Sequence, residues 1–242
     1  MTTVRDNQLP LGAGTATEVP PRTAASVILV RRHPFEVLLF RRSEASSFVP
    51  GAWVFPGGTV DEIDLQCAAA VGDESEETVA RLCAIREAFE ETGVWLGDPL
   101  DESESVRAEL LADPAFFRGL LDCARPALDS LVLHARWITP VGIPKRFDTL
   151  FFIALVDDET TASPEHMEGT EVRWLRPSEA LAENENGEFP LIFPTMRNLK
   201  AIEHFETSEY LIEDRRNATI EITRPVLIIE NGKKRIVIPG ES

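Results

Sequence analysis

Three glutamates, Glu87, Glu90 and Glu91, stand at spacing i, i+3 and i+4 in the segment Arg86-Glu87-Ala88-Phe89-Glu90-Glu91-Thr92-Gly93-Val94. In an α-helix those positions share one face, so three carboxylates are crowded together. Like charges at this spacing repel by roughly a few tenths of a kcal/mol per pair. A hard divalent cation removes that repulsion. Mg²⁺ takes oxygen ligands in octahedral geometry, commonly a few carboxylates completed by water and phosphate oxygens. The chemistry expected is therefore a metal-assisted reaction of a phosphate compound. Taken alone, the triplet fits a solvated acidic helix face equally well, and the surrounding elements must decide.

Residues 76 to 92 contain no Pro or Gly and carry Val79, Leu82, Ile85 and Phe89 at helical spacing, with Gly93 as a natural stop. At about 100° per residue the stripe of Leu82, Ile85 and Phe89 lies nearly opposite the carboxylates. The helix is expected to pack one side and present the other. Upstream, Ser26–Val30 and Phe35–Phe40 read as a β-hairpin leading into Arg41-Arg42. The strand-like Ala52-Trp53-Val54-Phe55, with Trp53 and Phe55 as core residues, is broken at Pro56-Gly57-Gly58, where a tight loop must follow. Downstream, residues 98 to 110 are acidic and polar. Asp113 caps an expected helix whose first position is Pro114. Strands follow at about 136–140, 147–156 and 171–176, then a helix from about Pro177, and a hairpin of 226–230 and 235–238 around Asn231-Gly232. Helix and strand are mixed within one domain.

The 242 residues suffice for one substantial core, and 43% hydrophobic with 27% charged residues is ordinary for a globular chain. The net charge of −17, from 41 acidic against 24 basic residues, opposes binding to nucleic acid or to an anionic membrane. No apolar run reaches the length of a membrane span, and no signal-peptide core is present. Cys67, Cys83 and Cys123 are far apart and form no CxxC pair, as expected of ordinary thiols in a reducing compartment. His33, His134, His166 and His204 have no ligand spacing and read as surface or core residues.

Phe55-Pro56-Gly57-Gly58 followed by Arg86–Val94 resembles the signature of nudix hydrolases, a glycine loop and then a helix reading Arg-Glu-x-x-Glu-Glu-x-Gly-apolar, with every fixed helix position matched. The resemblance implies a nudix-type α/β/α sandwich with a mixed β-sheet and a helical insertion. It implies Mg²⁺ or Mn²⁺ held by Glu87, Glu90, Glu91 and the Gly58 carbonyl, with Arg86 orienting a glutamate. The glutamate usual six residues after the second glycine is here Asp64, and about fourteen extra residues separate it from Arg86. The chain is expected to divide into a mobile tail, 1–22, and one domain, 23–242, with insertions at about 65–78 and 98–135. The first of these reads as an acidic surface excursion.

Phe48-Val49-Pro50-Gly51-Ala52, the spaced signature, Ile138-Thr139-Pro140 and Arg146-Phe147-Asp148-Thr149 are similar to the branch containing the peroxisomal coenzyme A diphosphatases of animals, across most of residues 24 to 240. That likeness implies a small nucleotide substrate, coenzyme A or its thioesters, cleaved to a phosphopantetheine product and adenosine 3',5'-bisphosphate. An ADP-ribose or nucleotide-sugar diphosphatase is the alternative on the same scaffold, and a non-catalytic nucleotide-binding module the alternative of another class. A homodimer is admitted as the assembly. Arg42 and Arg146 are candidates for the substrate phosphates, since guanidinium forks suit phosphate oxygens. The general base is expected among Glu90, Glu91 and Glu168, with Glu165 and Glu171 competing with Glu168. The end Pro239-Gly240-Glu241-Ser242 carries no Ser-Lys-Leu-like address, so a cytoplasmic location is expected.

Overall fold

β1 (Arg22–Arg31) is buried on both faces through most of its length, which a strand of consecutive apolar residues requires of a central position in a sheet. In this computed structural model, which describes residues 19–46, 49–165, 167–230 and 233–240, β1 runs parallel to β6 (Phe147–Leu155), from Arg22 opposite Phe147 to Val30 opposite Leu155. It is antiparallel to β2 (Glu36–Arg42), the expected hairpin, and near its start to β4 (Gly57–Thr59). β3 (Trp53–Val54) and β7 (Gly169–Leu175) both pair with β2, β5 (Val132–Ile138) pairs with β6, and β8 (Ile222–Thr223) adds to β5 in parallel. The sheet is therefore mixed. A separate hairpin joins β9 (Val226–Glu230) to β10 (Lys233–Val237). Its expected turn dipeptide 231–232, like Phe48, His166 and residues 1–18 of the expected tail, lies outside the described residues.

Alternation along β1 divides the core. Val27 and Leu29 point to one face with Phe152 and Ala154, and meet Ala80, Cys83, Ala84, Ile85 and Ala88 of α2 (Glu76–Thr92). Ile28, Val30 and Ile153 point to the other face, against Leu181 of α5 (Pro177–Asn186), Leu199 and Ile202 of α6 (Phe193–Ile202), and Leu211 of α7 (Ser208–Asn217). Helices thus cover both faces, the expected α/β/α arrangement.

The boundaries of α2 follow from its sequence. Ser75 accepts from the Thr78 N–H at 3.2 Å, and Gly93 closes the helix at φ 72°. Its packing differs from the wheel. Val79, Leu82 and Phe89 face away from the sheet, into a third cluster with Cys67 and Ala68 of α1 (Glu62–Val71), Leu110 of α3 (Ser103–Ala112), and Phe117 and Leu120 of α4 (Phe116–Leu120). The seam against the sheet is made by Ile85 of the expected stripe together with small residues, Ala80, Cys83, Ala84 and Ala88, which an apolar-stripe count does not single out and which let helix and sheet approach closely. Thirteen of the 17 residues of α2 are buried, so the helix is a central layer rather than a surface one. Residues 65–78, read as a surface excursion, contain most of α1 and bury Cys67 and Ala68 against α2. Asp113 accepts from the Ala115 N–H at 3.0 Å and leads into a helix two residues later than expected.

Candidate active site

β4 and α2 build the site against each other. A side chain on Gly57 would place Cβ 2.4 Å from the Ala25 carbonyl oxygen, so only glycine lets this strand lie so close to β1. At Gly58 the obstacle is functional. Its Cβ would lie 2.3 Å from Glu87 Oε1, which makes the missing side chain the cradle of that carboxylate. The Gly57 N–H donates to Glu91 Oε2 at 2.7 Å. Glu87 and Glu91 therefore face the glycine strand, while Glu90 is held by Arg86.

Arg86 organises the cluster from within. It is 4% exposed and grips Asp64, which has no exposed surface, through Nε–Oδ1 at 2.8 Å and Nη2–Oδ2 at 2.9 Å. Its Nη1 lies 3.0 Å from both Glu87 Oε1 and Glu90 Oε2. Asp64 is thus the buried partner that anchors the arginine, and Asp64 Oδ2 also accepts from the Asp61 N–H at the start of α1. The shorter carboxylate reaches because α1 folds back onto α2.

Burial pushes the Glu87 carboxyl up to about 8 and the Glu90 carboxyl to about 7, even though Arg86 favours their charged forms. Glu91 is driven well above the carboxylate range by burial and then by Glu87, against the Gly57 hydrogen bond. Arg86 stays charged: burial opposes its charge, but the hydrogen bonds to Asp64 and the proximity of Glu87 outweigh it. The negative charge of Glu168 is felt at Glu87, Glu90 and Glu91 alike, which puts Glu168 with the cluster although it comes from another part of the chain. Glu165 directs its carboxylate to the Met167 and Glu168 N–H groups. Glu171 belongs to β7 and acts on Arg173. Between Arg42 and Gly169 the β2–β7 register skips Thr170, a bulge that re-aims the chain next to Glu168.

Among the described residues, no three acidic, histidine or cysteine side chains already converge on one point as a preformed cage. Arg86 draws Glu87 and Glu90 while Gly57 draws Glu91. The donor set nonetheless suits a hard cation. It consists of carboxylate and carbonyl oxygens, it is desolvated, and its mutual repulsion is only partly met by Arg86 and, at Glu91, by Arg42.

Gly57 and Gly58 also form one edge of a chamber of about 540 Å³, walled by Val49, Phe55, Trp137, Ile143, Phe151 and Phe193 and rimmed by Arg22, Arg42 and Lys145. Arg146 lines it too, but is itself buried and donates to the carbonyls of Thr139 at 3.0 Å and Val19 at 2.7 Å. Arg42 lowers the burden on Glu91, so of the two expected phosphate contacts it lies nearer the carboxylates. Val49, Phe55, Ile138, Thr139, Pro140, Arg146, Phe147 and Thr149, from segments singled out in the sequence, thus line one chamber together with Trp137, Ile143, Phe151 and Phe193.

Residues 67–202 match the family model described as the NUDT19 Nudix domain. The chain belongs to the nudix hydrolase family. Within it, the chain is 35% identical over 187 residues to the putative nudix hydrolase 7 of Caenorhabditis elegans, covering 74% of this chain and 59% of that protein. It is 27% identical over 229 residues to the acyl-coenzyme A diphosphatase NUDT19 of Xenopus laevis (71% and 60%), and 28% identical over 205 residues to the human protein of that name (60% and 54%). The chain therefore spans about three fifths of the length of these nudix relatives. A crystal structure of a nudix hydrolase from Alicyclobacillus acidocaldarius superposes with a TM-score of 0.72 at 26% identity, over 80% of this chain and 96% of that one. No helix among the described residues is long and apolar enough to cross a membrane.

Proposed function

We propose that this nudix protein is a metal-dependent diphosphatase whose substrate is coenzyme A or an acyl-coenzyme A, cleaved to a phosphopantetheine product and adenosine 3',5'-bisphosphate. The observation that carries the reading is the junction at Gly57 and Gly58. One side of these residues holds the desolvated glutamates, and the other opens on a mainly apolar chamber with a cationic rim. An amphipathic organophosphate matches that division, its diphosphate at the junction and its organic arm in the chamber. The names of the vertebrate relatives agree with this choice.

Glu87, Glu90, Glu91 and the Gly58 carbonyl would hold Mg²⁺ or Mn²⁺. When bound, the ion supplies charge neutralisation of the diphosphate and a more acidic water. The chain's own residues do the rest. Arg86, locked by Asp64, holds Glu87 and Glu90 in place, and the Gly57 N–H holds Glu91. Hydrolysis joins a water oxygen to phosphorus, breaks the bridging P–O bond and releases a proton. Glu168, exposed to solvent yet close enough to the helix glutamates to repel them, accepts that proton. Arg42 at the rim steadies the departing phosphate. The three unpaired thiols, Cys67, Cys83 and Cys123, support a reducing, cytoplasmic setting.

The test is a panel of coenzyme A, acyl-coenzyme A, ADP-ribose, NADH and nucleotide sugars with Mg²⁺, with Mn²⁺ and with chelator, products read by mass. Metal-dependent release of adenosine 3',5'-bisphosphate is expected. Cleavage confined to another member would move the substrate, and no turnover anywhere would overturn the reading.

A further inference from the structure

A helix leaves its last carbonyls without helical partners, and α2 has no basic residue in its final turn to meet them. Arg107, on the inserted helix α3, does so from outside. Its Nε and Nη2 donate to the Glu90 carbonyl at 3.0 and 2.8 Å, and its Nη1 donates to Ser163 Oγ at 3.0 Å. Gly93 leaves room for it, since a Cβ there would sit 3.1 Å from Nη1. The next two carbonyls are taken by the same neighbourhood: the Glu165 N–H donates to Glu91 O at 3.0 Å and the Ser163 N–H to Thr92 O at 2.9 Å. One guanidinium thus bridges the end of the glutamate helix and the stretch of chain that brings in Glu168. Ser43 donates its N–H to the Glu168 carbonyl at 2.8 Å from the far side.

We infer that Arg107 is a positioning residue, and that the helical insertion serves the site by using it to fix Glu168 relative to Glu87, Glu90 and Glu91. The inference rests on the proposed diphosphatase reading for its kinetic consequence, but not for its structural one. A cation at this helix end also opposes the negative pole of α2 directly beneath the glutamates. Outer partners that orient ligands typically affect metal affinity or turnover by about 10- to 100-fold.

The experiment compares wild type with Arg107→Ala and Arg107→Lys, using Arg118→Ala, in an exposed pair with Asp122, as control. Mn²⁺ binding is read by calorimetry, exchange of the Ser163 and Glu165 amides by NMR, and turnover of whichever panel substrate the wild type cleaves. Arg107→Ala is expected to bind Mn²⁺ about tenfold more weakly and to exchange both amides faster. Its kcat should fall while KM stays near wild type. Arg107→Lys, and added guanidinium ion with Arg107→Ala, should each restore part of the loss. Wild-type Mn²⁺ affinity and wild-type amide protection in Arg107→Ala would overturn the inference. Should Arg107→Ala fail to fold, Ser163→Ala removes only the bridge and must still speed the exchange. Should wild type cleave nothing, the diphosphatase reading falls while the binding and exchange results still judge Arg107.

Discussion

Replacing Asp64 by Asn tests the interior of the site most directly. The substituted side chain would present an amide N–H₂ where the Arg86 fork and the Asp61 N–H now find a carboxylate, in a position with no exposed surface. Removing one partner of a buried ion pair costs about 3–5 kcal/mol, because the remaining charge is left desolvated. Arg86 would keep Glu87 and Glu90 at 3.0 Å, so the lower end, about 3 kcal/mol, applies. For a chain of this size that is a fall of roughly 6–12 °C in Tm. A second effect follows from the geometry. Released from Asp64, the guanidinium turns to Glu87 and Glu90 and competes with the metal, raising the Mg²⁺ concentration for half-maximal activity about tenfold. Thermal melts in chelator and a Mg²⁺ titration of turnover measure both. A melt within about 1 °C of wild type together with an unchanged Mg²⁺ requirement would refute the anchoring role, since about 3 kcal/mol cannot be hidden in a two-state transition.

The raised carboxyls predict a pH dependence for the metal-free protein. An acid whose folded pKa exceeds its unfolded value contributes stability that is complete below about 4.5 and lost as pH rises through about 7 for Glu90 and 8 for Glu87. Melts in chelator should weaken from pH 5 to 8.5, by an amount on the order of a few kcal/mol, and Glu87→Gln should flatten the curve while abolishing turnover. His134 acts in the opposite sense. It sits at the β5 bulge, buried, with neither ring nitrogen hydrogen-bonded among the described residues, and burial and then Arg215 push it down to about 3. Its folded pKa lies below the unfolded value near 6.5, so stability falls as pH drops from there toward 3, by about 2–3 kcal/mol at pH 4.5. His134→Leu should remove that acid sensitivity, and an unaltered acid limb in its melts would show the loss arises elsewhere. Gly58→Ala should displace Glu87 and reduce turnover at least tenfold, measured beside Gly57→Ala, whose clash is with backbone and whose penalty should appear chiefly in the melting temperature.

The chemistry is more legible in the sequence than the packing. Ser75 and Gly93 delimit α2 by cap chemistry that acts within a few residues, and the glutamate spacing needs only helical geometry. The Pro177 start of α5 is of the same kind. What joins distant segments is harder to read. The seam of Ala80, Ala84 and Ala88 carries no amphipathic signal, so an apolar-stripe count does not reveal that Val79, Leu82 and Phe89 face α1, α3 and α4 while Ile85 faces the sheet. The partnership of Asp64 with Arg86 depends on α1 folding back, and although α6 and α7 carry local signals, Pro194 ahead of Met196, Leu199 and Ile202 at helical spacing in one and the Thr207 cap with Arg215 and Arg216 in the last turn of the other, nothing in either names the sheet face it covers. Arg107 is invisible to any motif, because its partner is a backbone carbonyl and backbone carbonyls have no letter.

The chamber gives the family scaffold a division of labour in evolutionary terms. Its distal walls come from residues 137–151, 192–195, Pro225 and Ile236, whereas the glutamates, their arginine and the glycine strand lie within 57–91. Mutations that reshape the chamber can therefore accumulate without disturbing the carboxylates, and α2, enclosed by the sheet and by α1, α3 and α4, can stay invariant while they do. Substrate preference should drift faster along such a lineage than reaction type. A library confined to Ile143, Phe193 and Ile236 is accordingly the economical place to seek a changed organic arm with the bond cleavage retained.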